Sequence, residues 1–231
     1  MKRTWLIALS LLAVLTAGVA QPAQARSAQQ SPNFAGVWIS NQCEVRPGGP
    51  FAKRRLLLIN NTFSMSLTAY NDGKCTIPSL TMRVEGTFSL LGDSYVAPGV
   101  YPINLLWKQV FLRPEVNQTA EFLNSSWPGL CGSLGWSVGG EQDVTGTQGC
   151  RLLAIDLRRP ISEFDIVGVS GNFLYMGLRP GDGGQIYSPD RRPSVFSVPL
   201  VKFQDVPDPI FAPGTTLPPF LPNTGGDNVE G

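Results

Sequence analysis

The sequence predicts a mainly β protein, a sandwich or barrel of short antiparallel strands with one helix packed against it. Two observations predict this. Several segments alternate strictly between apolar and polar residues and are punctuated by Gly and Pro, as half-buried antiparallel strands are. A single run, after Arg113, changes to helical spacing.

The elements follow in order. Lys2 and Arg3, an apolar run from Trp5 to about Ala20, and Ala23-Gln24-Ala25 have the order of a secretory signal peptide, so residues 1–25 are expected to be removed. That run falls short of the ~20 residues a membrane span needs, and no span is expected after cleavage. Residues 26–31 read as a linker and 32–204 as one domain. Within it, 36–45 is a strand with Val37 and Ile39 on one side and Trp38 and Ser40 on the other. A strand is expected at 53–59. In 62–70, Phe63, Met65, Leu67 and Ala69 share a face opposite Thr62, Ser64, Ser66 and Thr68. Asn71-Asp72-Gly73 is the hairpin turn into 80–91, where Leu80, Met82, Val84, Phe88 and Leu90 oppose Thr81, Arg83, Glu85, Thr87 and Ser89. A strand at 100–112 comes next. Val116, Ala120, Leu123 and Trp127 then predict a helix over 114–125, with Pro114 and Glu115 in its first turn. Further strands are expected at 163–169, 172–178 and 195–203. Six prolines and four glycines among residues 205–231 predict a disordered tail. Leu221-Pro222-Asn223-Thr224-Gly225 within it resembles a cell-wall sorting signal, without the apolar stretch and basic end that complete one.

Composition narrows the function. Eighteen Lys+Arg face 17 Asp+Glu, and loss of Lys2 and Arg3 leaves 16 against 17, a net charge of −1. Such a balance gives no electrostatic case for nucleic acid or an anionic membrane. The chain has no histidine, which excludes Ser-His and Cys-His nucleophile pairs and histidine metal sites. No phosphate loop or Gly-x-Ser-x-Gly elbow occurs, and no cofactor is implied. Four cysteines, Cys43, Cys75, Cys131 and Cys150, point to two disulfides in an exported chain. Zinc would need close pairs such as Cys-x-x-Cys, which are absent. Four cysteines allow three connectivities, among which the sequential pairs Cys43–Cys75 and Cys131–Cys150 are expected.

One constellation spans the domain. It begins with Gly36-x-Trp38, Cys43-Glu44-x-Arg46-Pro47-Gly48 and Phe51-x-x-Arg54. Phe63 and Tyr70, Cys75-x-x-Pro78, Arg83-x-x-Gly86 and Pro98-Gly99 follow. Then come Cys131-Gly132, Trp136, Cys150, Glu163, Leu174-Tyr175-x-Gly177 and Arg192-Pro193. In this order they resemble the APCDD domain of the adenomatosis polyposis coli down-regulated family, secreted or membrane-anchored Wnt antagonists of animals. The resemblance implies an antiparallel, partly open β-barrel that accommodates a lipid-like group. The animal proteins carry two such domains and a membrane-spanning C-terminus, whereas one domain and no span are expected here, which puts Wnt itself in doubt as a partner.

Strand parity then assigns roles. Arg54 shares a face with Leu56 and Leu58, and Glu44 shares one with Trp38, so Glu44 and Arg54 are expected to form an inward ion pair. Cys43 lies on the opposite face. The apolar faces of 62–70 and 80–91 are expected to line a concave ligand site through Phe63, Met65, Leu67, Met82, Val84 and Phe88, with Trp107 on the following strand. The expected function is a secreted, non-catalytic module that holds an acyl or lipid ligand, or a lipidated secreted protein. A structural or adhesive envelope protein with a filled core is the alternative. Enzymatic action through carboxylates that meet only in space is a third reading.

Overall fold

The computed structural model describes residues 33–46, 49–92, 96–125, 130–153, 155–158, 160–180 and 185–204. The expected signal peptide, linker, tail and Trp127 lie outside them. The chain divides at Ser31/Pro32, and the fold described is that of the unit beginning at Pro32.

Among the described residues, twelve strands and one α-helix follow in the order β1 (Gly36–Ser40), β2 (Glu44–Val45), β3 (Phe51–Ile59), β4 (Thr62–Tyr70), β5 (Pro78–Leu90), β6 (Val100–Pro114), α1 (Asn117–Asn124), β7 (Gln142–Asp143), β8 (Gly149–Cys150), β9 (Ile155–Asp156), β10 (Ser162–Ser170), β11 (Phe173–Met176) and β12 (Leu200–Gln204). All pairings are antiparallel, as the alternation predicts. Eight strands form a closed circuit, β1-β12-β11-β10-β6-β5-β4-β3 and back to β1. The barrel expected to be partly open is therefore closed. β1 makes the closure, since it pairs β12 on one edge and β3 on the other and leaves neither strand an unpaired edge.

Local chemistry sets the turns. The tight hairpin turn joins β3 and β4 at Asn60-Asn61, both at positive φ (45° and 60°), which is type I′ geometry. The expected turn at Asn71-Asp72-Gly73 opens a longer loop, in which the Asp72 carboxylate accepts the backbone N–H groups of Lys74, Thr76 and Ile77. The strand expected at 36–45 breaks after Ser40, and 195–199 is not strand, so β12 begins only at Leu200.

The helix begins later than expected. Pro114 pairs with Leu80, and Glu115 N–H donates to Ser79 C=O, so both residues extend the ladder. Sheet pairing overrides the helix-start signal, and α1 begins at Asn117. Its buried Ala120 and Leu123 join Cys131, Trp136, Val144, Cys150 and Ile155 in a lobe whose core is continuous with the barrel interior.

That interior is filled. Trp38, Leu56, Leu58, Phe63, Val84, Ile103, Leu105, Leu112, Leu174 and Leu200 are packed together, with Trp38 and Val84 at 0 % exposure. Gly86 stands across from Phe63 and Trp107, and the Phe63 ring lies over it.

Candidate functional site

A bulge builds the site. In the β5–β6 ladder, Glu85 pairs with Gln109 and Gly86 with Trp107, so Lys108 is the extra residue. Inward parity on β6 changes there from Ile103, Leu105 and Trp107 to Val110 and Leu112. β10 ends its pairing with β6 at the same place, where Trp107 N–H donates to Ile161 C=O. β7 takes up the β6 edge only at Phe111. Between them, the Val110 N–H is taken by Thr145 Oγ1 at 2.8 Å. The seam between barrel and lobe holds a cavity of about 180 Å³, lined by Trp107, Lys108, Val110, Thr145, Leu157, Pro160 and Ile161. Pro160 and Ile161 also line an adjoining half-open groove of about 860 Å³, with Asp156, Arg158, Ser162, Phe164 and Tyr187. The Trp107 and Tyr187 rings meet edge to face at 6.3 Å.

Of the seven residues expected to line a ligand site, only Trp107 reaches this cavity. Phe63 and Val84 are buried in the core, Met65, Met82 and Phe88 pack against it, and Leu67 lies outside that cluster. The register does bring them to one inner face, with Met65 opposite Val84 and Leu67 opposite Met82.

The expected ion pair has good geometry. Arg54 Nε lies 2.9–3.0 Å from both Glu44 carboxylate oxygens, Ser40 Oγ donates to Glu44 Oε1 at 2.6 Å, and Arg54 Nη2 donates to Val198 C=O at 2.8 Å. Both cysteine pairs form as expected, Cys43–Cys75 and Cys131–Cys150. The first ties the break between β1 and β2 to the β4–β5 loop. The second holds the lobe.

Sequence reasoning missed a second polar group inside the barrel. Glu163 and Asp165 pair with Leu105 and Ile103 and share their inward face. Glu163 is bonded by Arg179. Asp165 accepts from the N–H groups of Ile166 (2.7 Å) and Gly177 (2.9 Å). Burial pushes its carboxyl up to about 6, against the pull of those hydrogen bonds and of Arg179. Burial, with Glu163 nearby, likewise pushes the Tyr187 phenol up to about 12, so it stays protonated. The one available signal was the parity of 162–170, which puts Glu163 and Asp165 in line with Val167 and Val169.

Comparison with known families converges on the sequence resemblance. The sequence profile described as "Adenomatosis polyposis coli down-regulated 1" matches residues 15–144, more than half of the chain. The span includes the Gly36 to Arg54 cluster, the first disulfide and Cys131, and stops before the motif residues from Cys150 to Pro193. With a closed antiparallel barrel and a match of this length, the chain belongs to the adenomatosis polyposis coli down-regulated family.

Proposed function

We propose that this chain is an exported, non-catalytic binding module that takes an apolar, acyl-type group, free or carried by a lipidated secreted protein, at the seam around Trp107. The observation that carries the reading is the 180 Å³ cavity walled by Trp107, Val110, Leu157, Pro160 and Ile161, with Lys108 and Thr145 at it, beside a half-open groove of about 860 Å³. An apolar cavity of about 150 Å³ stays dry and takes up benzene, so this one has room for the end of an acyl chain. Each methylene buried there contributes about 0.8 kcal/mol. The seam replaces the Phe63–Val84 face as the ligand site, because that face is spent on the core. Two disulfides favour an oxidising, extracytoplasmic location.

The test is titration with fluorescent fatty acids of graded length. Affinity is expected to rise with length. Leu157→Trp, which fills the cavity from a half-buried position, should weaken binding by about tenfold, equivalent to ~1.4 kcal/mol. An affinity independent of chain length would sink the reading. The filled barrel interior favours a second one, a structural or adhesive extracellular protein without a ligand, and the same titration separates the two.

A further inference from the structure

One run of chain separates two kinds of surface. Among the described residues from 155 to 164, the odd positions are the covered side. Ile155, Ile161 and Glu163 are buried and Leu157 is half-buried. The even positions are the open side, with Asp156, Arg158 and Pro160 exposed and Ser162 and Phe164 half-buried. Leu157 and Ile161 wall the seam cavity together with Trp107 and Val110. All five even residues wall the groove. Pro160 and Ile161 line both, so the two spaces meet there. Alternation along this run thus gives the cavity an apolar wall and the groove a largely polar one.

The groove suits an uncharged head group. Among the described residues that line it, the one carboxylate and the one guanidinium are spent on each other. Arg158 Nε lies 2.9 and 3.0 Å from the two Asp156 oxygens, and its Nη2 bonds the same carboxylate. Those hydrogen bonds hold the Asp156 carboxyl down to about 2, so the pair stays ionised and the lining is neutral overall. A charged head would have to compete with one partner for the other. Ser162 and Tyr187 bring hydroxyls that have no hydrogen-bond partner among the described residues. A hydroxyl both donates and accepts, which matches the hydroxyls of a polyol. Phe164 N–H donates to Ile186 C=O at 2.8 Å and so sets Tyr187 beside β10, which brings two aromatic rings to the groove. Rings with an apolar body, one of them with a polar tip, suit the mixed C–H and O–H surface of a sugar. A volume of about 860 Å³ lies within the ~300–1,000 Å³ of small-molecule sites. Lys108 also lines the cavity, but it is a lone exposed ammonium, strongly hydrated where it stands.

We infer that the ligand is an amphiphile with an uncharged, polyhydroxylated head, a glycosyl group, whose tail enters the seam cavity and whose head lies in the groove. The Ser162 and Tyr187 hydroxyls bond the head, and the Asp156–Arg158 pair stays closed beside it. The inference rests on the apolar-group reading of the seam and adds to it the class of head group.

The experiment titrates the full chain with decyl β-glucoside, decan-1-ol and decanoate, each below the concentration at which it self-associates. The glucoside is expected to bind at least about tenfold more tightly than either of the others. Ser162→Ala combined with Tyr187→Phe removes both hydroxyls and keeps the Tyr187 ring, and it should abolish the advantage of glucoside over alcohol. An advantage that survives in this double variant overturns the assignment of the head to the groove. Equal affinity of glucoside and alcohol in the unmodified chain overturns the sugar head and leaves the apolar reading standing. Decanoate bound most tightly overturns it in favour of an anionic head at Lys108. Failure of all three to bind overturns the apolar reading. In that event methyl β-glucoside, which has no tail, decides the head site separately by saturation-transfer NMR. Transfer that the double variant abolishes upholds the site, and transfer equal in both proteins, or absent from both, overturns it.

Discussion

Glu44 and Arg54 are legible in the sequence because parity alone places both inward, and a buried guanidinium needs a partner. The structure adds what parity cannot, namely Ser40 Oγ on the carboxylate and the Val198 carbonyl on the guanidinium. Removing one partner strands the other. Glu44→Gln or Arg54→Met alone should each cost about 3–5 kcal/mol, and the double variant clearly less than the sum. Urea denaturation of the three variants checks this, and additive small losses would refute the pairing. Asp165 makes a different prediction. It is 4 % exposed, and burial lifts its carboxyl to about 6, whereas an unfolded Asp titrates near 3.9. Between these values the folded chain binds more protons than the unfolded one. Its contribution therefore lowers stability as pH rises from about 4 to 6 and is level above that. The size is about 3 kcal/mol, from two pKa units at 1.36 kcal/mol each. Asp165→Asn keeps an oxygen for the Ile166 and Gly177 N–H groups and removes the charge. It should remove that slope and be more stable than the unmodified chain at pH 7, as denaturation midpoints across this range would reveal.

The strands were legible as elements because alternation is a local property, and β4 and β5 match their expected faces. Their ends were not. The helix signal at Pro114-Glu115 lost to ladder bonds with Leu80 and Ser79, which sequence spacing does not display. The Lys108 bulge is equally invisible, because it exists only in the offset between two strands. Gly86 shows how tightly that offset is built. A Cβ there would stand 2.0 Å from the Leu106 carbonyl oxygen and 2.8 Å from the Phe63 ring. Gly86→Ala should destabilise by about 3 kcal/mol. Phe63→Leu should not rescue it, since the nearer obstacle is backbone. Thermal denaturation of the single and double variants would show this, and full rescue would mean the ring alone sets the limit.

Closure joins the two ends of the domain. β1 pairs with β12, more than 150 residues later, and Val201 faces Ile39 on one side and Phe173 on the other. Such distant pairing predicts slow folding. Val201→Pro deletes a ladder N–H inside the circuit and should open it. Hydrogen exchange should then rise together in β1, β11 and β12, and a rise confined to β12 would show that the ring tolerates a gap. Read alone, the chain yields the mainly β class, the inward and outward faces of the principal strands, cysteines enough for two disulfides, and the Glu44–Arg54 pair. Each follows from a period, a parity or a count within a short window or the cysteine set. Assembly of the strands decides which cysteines pair, that the barrel closes, and that Phe63, Met65, Met82, Val84 and Phe88 are spent on packing its interior and core. The same assembly sets Trp107 at a seam and brings Arg179 onto the buried Glu163. These are facts of register and curvature between strands far apart in the chain, and an inward face reads the same in sequence whether it meets side chains or a ligand.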